Sequence, residues 1–161
     1  MATPARELLQ ESTHAFHLDE AVDEVFRLMM GISCSPLEES VAEGQETITA
    51  VIGLAGAMSG VCTLRCSVDT ALRMAECMVG IRPTGLDAMV KDAIGEVCNM
   101  VAGAWKGKHG VLAAGCMLST PAVVTGTNYQ LHMQQQEFRI DHNYRFEEHK
   151  ISISVICESV Q

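Results

Sequence analysis

Apolar residues recur with two different periods along this chain. Across residues 18–30, Leu18, Ala21, Val22, Val25, Phe26 and Met29 repeat at three and four, the spacing of an amphipathic helix, and Gly31 is suited to end it. Residues 31–46 carry Pro36 and an acidic cluster and read as a connector. Residues 47–54, rich in Val, Ile and Thr, read as a strand, and residues 59–66 read as another. The intervening AGAMSG supplies glycines for a tight reversal, so the pair is expected to form an antiparallel hairpin. Ser67 is placed to cap a helix running to about Val79, with Val68, Ala71, Leu72, Ala75, Met78 and Val79 inward and Gly80 after it. Thr84 and Asp87 resemble a capping box opening a long helix over about residues 85–106, which GKHG stops.

From Met117 the pattern becomes that of strands. Residues 118–124, 129–133 and 137–140 read as strands, with turns at 126–128 and 141–143. Residues 151–157 alternate, with Ile151, Ile153, Val155 and Cys157 on one face. Residues 1–16 are polar and mixed and read as an N-terminal extension that includes a short helix over 6–11; residues 17–161 read as one domain. The order is helix, hairpin, two helices, then strands, without the regular alternation of a parallel α/β fold. It predicts an α+β domain with helices packed on a mostly antiparallel sheet.

The long helix is the part whose polar residues ask for an explanation. Asp92, Glu96, Asn99, Gly103 and Lys106 fall within an arc of roughly 80° at 3.6 residues per turn. Val90, Ala93, Ile94, Val97, Val101, Ala104 and Trp105 lie away from that stripe. Such a stripe is ordinarily a solvated side. Here Asn99 and Gly103 are poor mid-helix residues, costing roughly a few tenths to 1 kcal/mol each. Ala88, Gly95 and Ala102 flank the stripe and would leave a shallow surface for another macromolecule. A contact surface would account for both features.

Composition narrows the choices. The formal charge of −9 on 161 residues disfavours nucleic acid and anionic membranes as partners. Seven cysteines, odd in number and irregularly spaced, read as reduced, mainly buried thiols of a cytoplasmic protein. His14 and His17 have helical spacing but no ligand set to complete a metal site, and no nucleophile motif stands out. No metal or cofactor of the chain's own is expected.

Asp92, then Glu96-Val97-Cys98-Asn99, then Pro121 follow the motif of a known family. The surrounding DAIGEVCNMVAG and LSTPAVVTG, with EAVDEVFRLMMG and VIGLAGAMSGVCTL earlier, resemble it too. The chain thus resembles the CheX-like branch of the CheC/CheX/FliY family of bacterial chemotaxis phosphatases, from about Phe16 onward. The resemblance implies hydrolysis of the phosphoaspartate of a CheY-like response regulator. It implies that Glu96 docks the receiver by pairing with a Lys beside the phosphorylation site, and that Asn99 orients the attacking water. Mg²⁺ would belong to the receiver. Asp92, Gly95, Ala102 and Gly103 would lie at the partner surface, the small residues as clearance. The first helix carries Glu20-Ala21-Val22-Asp23 and Glu24-Val25-Phe26-Arg27 and no ExxN, so a single site is implied. A homodimer formed through the sheet is also implied, with the segment 129–146 pairing across it. The alternative is a non-catalytic, CheC-like binding module for a receiver or a flagellar switch partner.

Overall fold

Alternation along the central hairpin separates the two faces of the sheet. Ile48, Ala50, Ile52 and Leu54 of β2 (Thr47–Gly56) are buried on one side, as are Cys62, Leu64 and Cys66 of β3 (Met58–Ser67). The structure, a computed structural model, describes residues 11–160. Before the hairpin come α1 (Glu11–Met30) and β1 (Ser35–Leu37). After it come α2 (Val68–Val79), α3 (Ala88–Gly107), α4 (Gly110–Gly115), β4 (Cys116–Leu118), β5 (Ala122–Gly126), β6 (Phe138–Phe146) and β7 (His149–Val160).

The strands form one antiparallel sheet in the order β1-β6-β7-β3-β2, with β4 and β5 sharing the remaining edge of β2. The α+β architecture expected from the sequence is the one observed. Helix α3 packs against α1, α2 and the hairpin. Phe26, Ile94 and Trp105 are fully buried in the resulting core. Burying a side chain of that size stabilises by about 1.5–3 kcal/mol. All seven cysteines are free, six of them buried. No helix among the described residues is long and apolar enough to cross a membrane.

Two helix ends follow the sequence reading. The Ser67 hydroxyl accepts the Thr70 N–H at 3.2 Å, and Gly80 takes φ 88° after α2, a conformation that costs glycine little. The start of α3 differs. Asp87, not Thr84, is the N-cap, its carboxylate accepting the Val90 N–H at 2.9 Å, and the helix proper begins at Ala88. At the other end of the chain α1 begins at Glu11, ahead of the point where the apolar period starts. The expected helix over 6–11 lies, but for its last residue, outside the described residues.

The later strands need the larger corrections. Residues 129–133 are not a strand. Tyr129 turns back onto the helix-free face of the sheet, where its hydroxyl meets those of Thr47 at 2.9 Å and Thr49 at 2.5 Å. Residues 141–143 are not a turn; β6 runs straight through them. Asp141 and Asn143 accept hydrogen bonds from Ser154 and Ser152 of β7, so residues that commonly make turns serve here as cross-strand partners. The reversal comes at Glu147, with φ 51°. Strand β1 and helix α4 are additions to the elements expected from the sequence. Strand β6 pairs with β7 along its whole length on one side, and with β1 only at Asn143–Arg145 on the other.

Candidate functional site

Helix α3 presents its polar stripe between α1 and the segment that joins β4 to β5. Its buried side holds Val90, Ala93, Ile94, Val97, Cys98, Val101, Ala102 and Trp105. Glu96 and Asp92 are exposed and Asn99 is half-buried. Among the described residues none of these three side chains has a hydrogen-bond or ion-pair partner. Glu96 and Asn99 stand one turn apart on the same face. An unpaired carboxylate beside an unpaired carboxamide offers one anionic anchor and one group that donates and accepts.

The helix is fixed from below. The Cys98 thiol donates to the backbone carbonyls of Ala50, at 3.7 Å, and Cys62, at 3.6 Å, tying α3 to both strands of the hairpin. Its hydrogen bond with Cys62 and then its burial push this thiol's pKa well up. It is a core thiol, one residue from Asn99 but no nucleophile.

Two of the expected partner-surface residues are turned to internal use. Ala102 is 1% exposed and packs in the core. Gly95 is buried, and a Cβ there would lie 3.1 Å from Cβ of Pro121. Its lack of a side chain admits the proline ring of its own chain rather than giving clearance to a partner. Gly103 differs from both. It is part-exposed, and a Cβ there would meet only a Leu118 methyl, at 3.9 Å.

Pro121 therefore packs on α3 at Gly95, the residue before Glu96 and one turn before Asn99. What holds it there is Ser119. Its N–H donates to Gly53 O at 2.9 Å, and its hydroxyl accepts the Gly53 N–H at 2.8 Å while donating to Thr120 O at 3.0 Å. These bonds occupy β2 between the stretch paired with β5 and the stretch paired with β4. Ser119 carries no motif of its own; its place two residues before Pro121 is the signal available in the sequence.

The stripe's last member is also committed. Lys106 donates from Nζ to Ala113 O at 2.8 Å and so tethers α4. Lys108 pairs with Glu24 at 2.8 Å and Glu20 at 3.6 Å. In α1, the last residue of Glu20-Ala21-Val22-Asp23 is engaged elsewhere. Asp23 accepts from Arg27 at 2.8 Å and from the Cys34 N–H at 2.9 Å, pinning the start of the connector.

Two concavities bear on the site. A larger one, of about 610 Å³, lies on the helix-free face of the sheet near Tyr129, Arg65 and Arg139 and contains none of the motif residues. The other, of about 390 Å³, is an apolar groove between α1 and α3. Asn99 forms part of its wall, with Val25, Leu28, Met100, Gly103 and Leu118. Among the described residues no three His, Cys, Asp or Glu side chains are grouped to hold a metal ion.

Comparison with known proteins gives a consistent picture. A sequence model of the family described as chemotaxis phosphatase CheX matches residues 48–143. The chemotaxis protein CheX from Vibrio vulnificus has a similar crystal structure: TM-score 0.76, 24% identity, 90% of this chain and 96% of that one covered. The CheX–CheY–BeF3–Mg²⁺ complex from Borrelia burgdorferi contains a similar chain, with TM-score 0.73, 19% identity and coverage of 91% and 98%. FliY from Thermotoga maritima is similar at TM-score 0.63 and 14% identity, with 92% of each chain covered. At these identities the structural likeness establishes the fold. No curated protein matches the sequence significantly.

Proposed function

Because the chain belongs to the CheX family of chemotaxis phosphatases, we propose that it hydrolyses the phosphoaspartate of a CheY-like receiver, with Asn99 placing the attacking water and Glu96 docking the receiver. The observation that carries this reading is the pair itself. Glu96 and Asn99 lie on the open face of α3, on a helix fixed to the sheet, and neither is consumed by a contact within the described chain.

The chemistry asks little more of the chain. An acyl phosphate already has a carboxylate leaving group, and Mg²⁺ and cationic groups belong to the receiver in this reading. Attack by water forms a P–O bond as the P–O bond to the aspartate breaks. The aspartate leaves as carboxylate, and the water's protons end on phosphate and solvent. The Asn99 carboxamide can donate one hydrogen bond and accept another, which fixes the water's direction without making it strongly basic. A hundredfold acceleration corresponds to about 2.7 kcal/mol, within reach of positioning alone. Glu96, one turn away, would pair with a receiver Lys and so set the depth at which Asn99 enters. The setting proposed is the cytoplasm. A homodimer formed through the sheet accompanies the reading as an expectation of the family resemblance.

The test is dephosphorylation of a phosphorylated CheY-like receiver by wild type, Asn99→Ala and Glu96→Ala. We expect Asn99→Ala to lose about a hundredfold in kcat, and Glu96→Ala to act mainly by raising the receiver concentration for half-maximal rate. Equal acceleration by wild type and Asn99→Ala would refute the role of Asn99. Receiver binding without any acceleration by wild type would leave a non-catalytic binding module in its place.

A further inference from the structure

We infer that the apolar groove between α1 and α3 receives an apolar side chain of the receiver, from beside its phosphorylated aspartate, and that Leu28 is its principal contact. This rests on the phosphatase reading above, in that it takes Asn99 as the point the receiver must reach.

Continuity is the first argument. Asn99 is at once the assigned water-placing residue and part of the groove's wall. A receiver that brings its phosphoaspartate to Asn99 stands at the mouth of the groove, with Met100 and Gly103 within one turn farther along the same helix. The groove thus continues the surface that such a receiver meets.

Its chemistry then specifies what covers it. Val25, Leu28, Met100, Ala104 and Leu118 make it apolar. The one charged group at its rim, Glu24, is held by Lys108 at 2.8 Å. An apolar side chain can therefore enter without stranding an unpaired charge. Leu28 is 75% exposed on a helix whose other apolar side chains mostly face the core. A large apolar residue left in water at a concave site gains by burial when a partner arrives. Gly103 keeps the opposite wall low, with only the Leu118 methyl near the place of a missing Cβ.

Two substitutions test this from opposite walls. Leu28→Asp places a charge in the groove. Gly103→Met fills it from α3, where there is space. Binding of BeF3-activated CheY-like receivers from the source organism, tested in turn, is followed by fluorescence anisotropy, independently of hydrolysis. Each substitution is expected to weaken binding at least about tenfold, the scale of losing one buried apolar side chain. In turnover assays the loss should fall on the half-saturating receiver concentration rather than on kcat, while Leu28→Met should bind like wild type. Thermal melts report whether each variant is folded.

The failures are distinguishable. If both folded variants bind the receiver as wild type does while Asn99→Ala still abolishes turnover, the groove proposal is overturned and the phosphatase reading stands. If wild type binds without hydrolysing and Leu28→Asp weakens that binding, the groove stands and the phosphatase reading falls. If Leu28→Asp instead changes the oligomeric mass with no loss of binding, a second copy is the occupant. Tighter receiver binding on removal of residues 1–10 would make the chain's own N-terminal segment the occupant. Either of those results overturns the proposal.

Discussion

Replacing Gly95 by alanine sets two effects of similar size against each other. Alanine is better than glycine in a helix interior by about 1 kcal/mol. Its Cβ would stand 3.1 Å from Cβ and 3.3 Å from Cγ of Pro121, closer than the 3.5–4.0 Å at which carbon contacts are favourable. The ring must recede by roughly half an ångström. Pro121 is exposed, so it can retreat toward solvent, at a cost on the order of 1 kcal/mol, the low end for overpacking. Stability should therefore stay within about 1 kcal/mol of wild type, a shift of no more than about 4 °C in Tm. Activity should respond more strongly. Gly95 lies one turn before Asn99 on α3, so strain taken up by the helix rather than by the ring would move Asn99; a misplacement of about half an ångström there would lower kcat on the order of tenfold. Thermal melts and receiver dephosphorylation at saturating receiver separate the two readouts. Destabilisation beyond about 3 kcal/mol, the range of severe core defects, would show that Pro121 cannot give way. Wild-type kcat would show that its position does not matter to Asn99.

Ser119→Ala removes the hydroxyl that accepts the Gly53 N–H and donates to Thr120 O; we expect a loss of about 0.5–1.5 kcal/mol and a several-fold fall in kcat, with a melt and the same dephosphorylation assay as the check. Asp23→Ala should cost about 1–3 kcal/mol at neutral pH, because a charged acceptor of the Cys34 N–H and of Arg27 is lost. Burial opposes ionisation of Asp23, but those contacts outweigh it and hold the carboxyl below its ordinary value. A depressed folded pKa gives stability above the unfolded value of about 3.9 and loses it as pH falls through the folded one. The gap between Asp23→Ala and wild type should therefore close below about pH 4 in denaturant titrations, and a gap that persists there would refute the ionic origin.

The helices and the hairpin were legible because each buries one face, and burial writes a period into the sequence. Ser67, Gly80 and the α3 stripe belong to that class. The late strands were less legible because their outer-face residues are chosen for one another across the sheet. Asp141 and Asn143 look like turn residues until Ser154 and Ser152 stand opposite them. Tyr129 has strand character by type, yet its hydroxyl is used against two threonines far away in sequence. Glu96 and Asn99 came from motif and spacing together. Gly95 and Ala102 were placed on the right flank but given the wrong neighbour, because one sequence does not reveal that Pro121 returns to cover Gly95. The groove had a local signal. Leu28 is apolar yet falls off the repeat formed by Leu18, Ala21, Val22, Val25, Phe26 and Met29.

The division of one edge of β2 between β4 and β5 bears on self-association. An uninterrupted outer strand offers a continuous row of amides and carbonyls to any passing chain. Here that outer row is broken into pieces of three and five residues by the segment 119–121. Pro121 itself has no N–H to donate to a further strand. This interruption is expected to make this border of the sheet a poor template for a further strand. Changes that straighten it to alter the site would be expected to lower solubility as well, so activity and colloidal behaviour are tied to the same three residues.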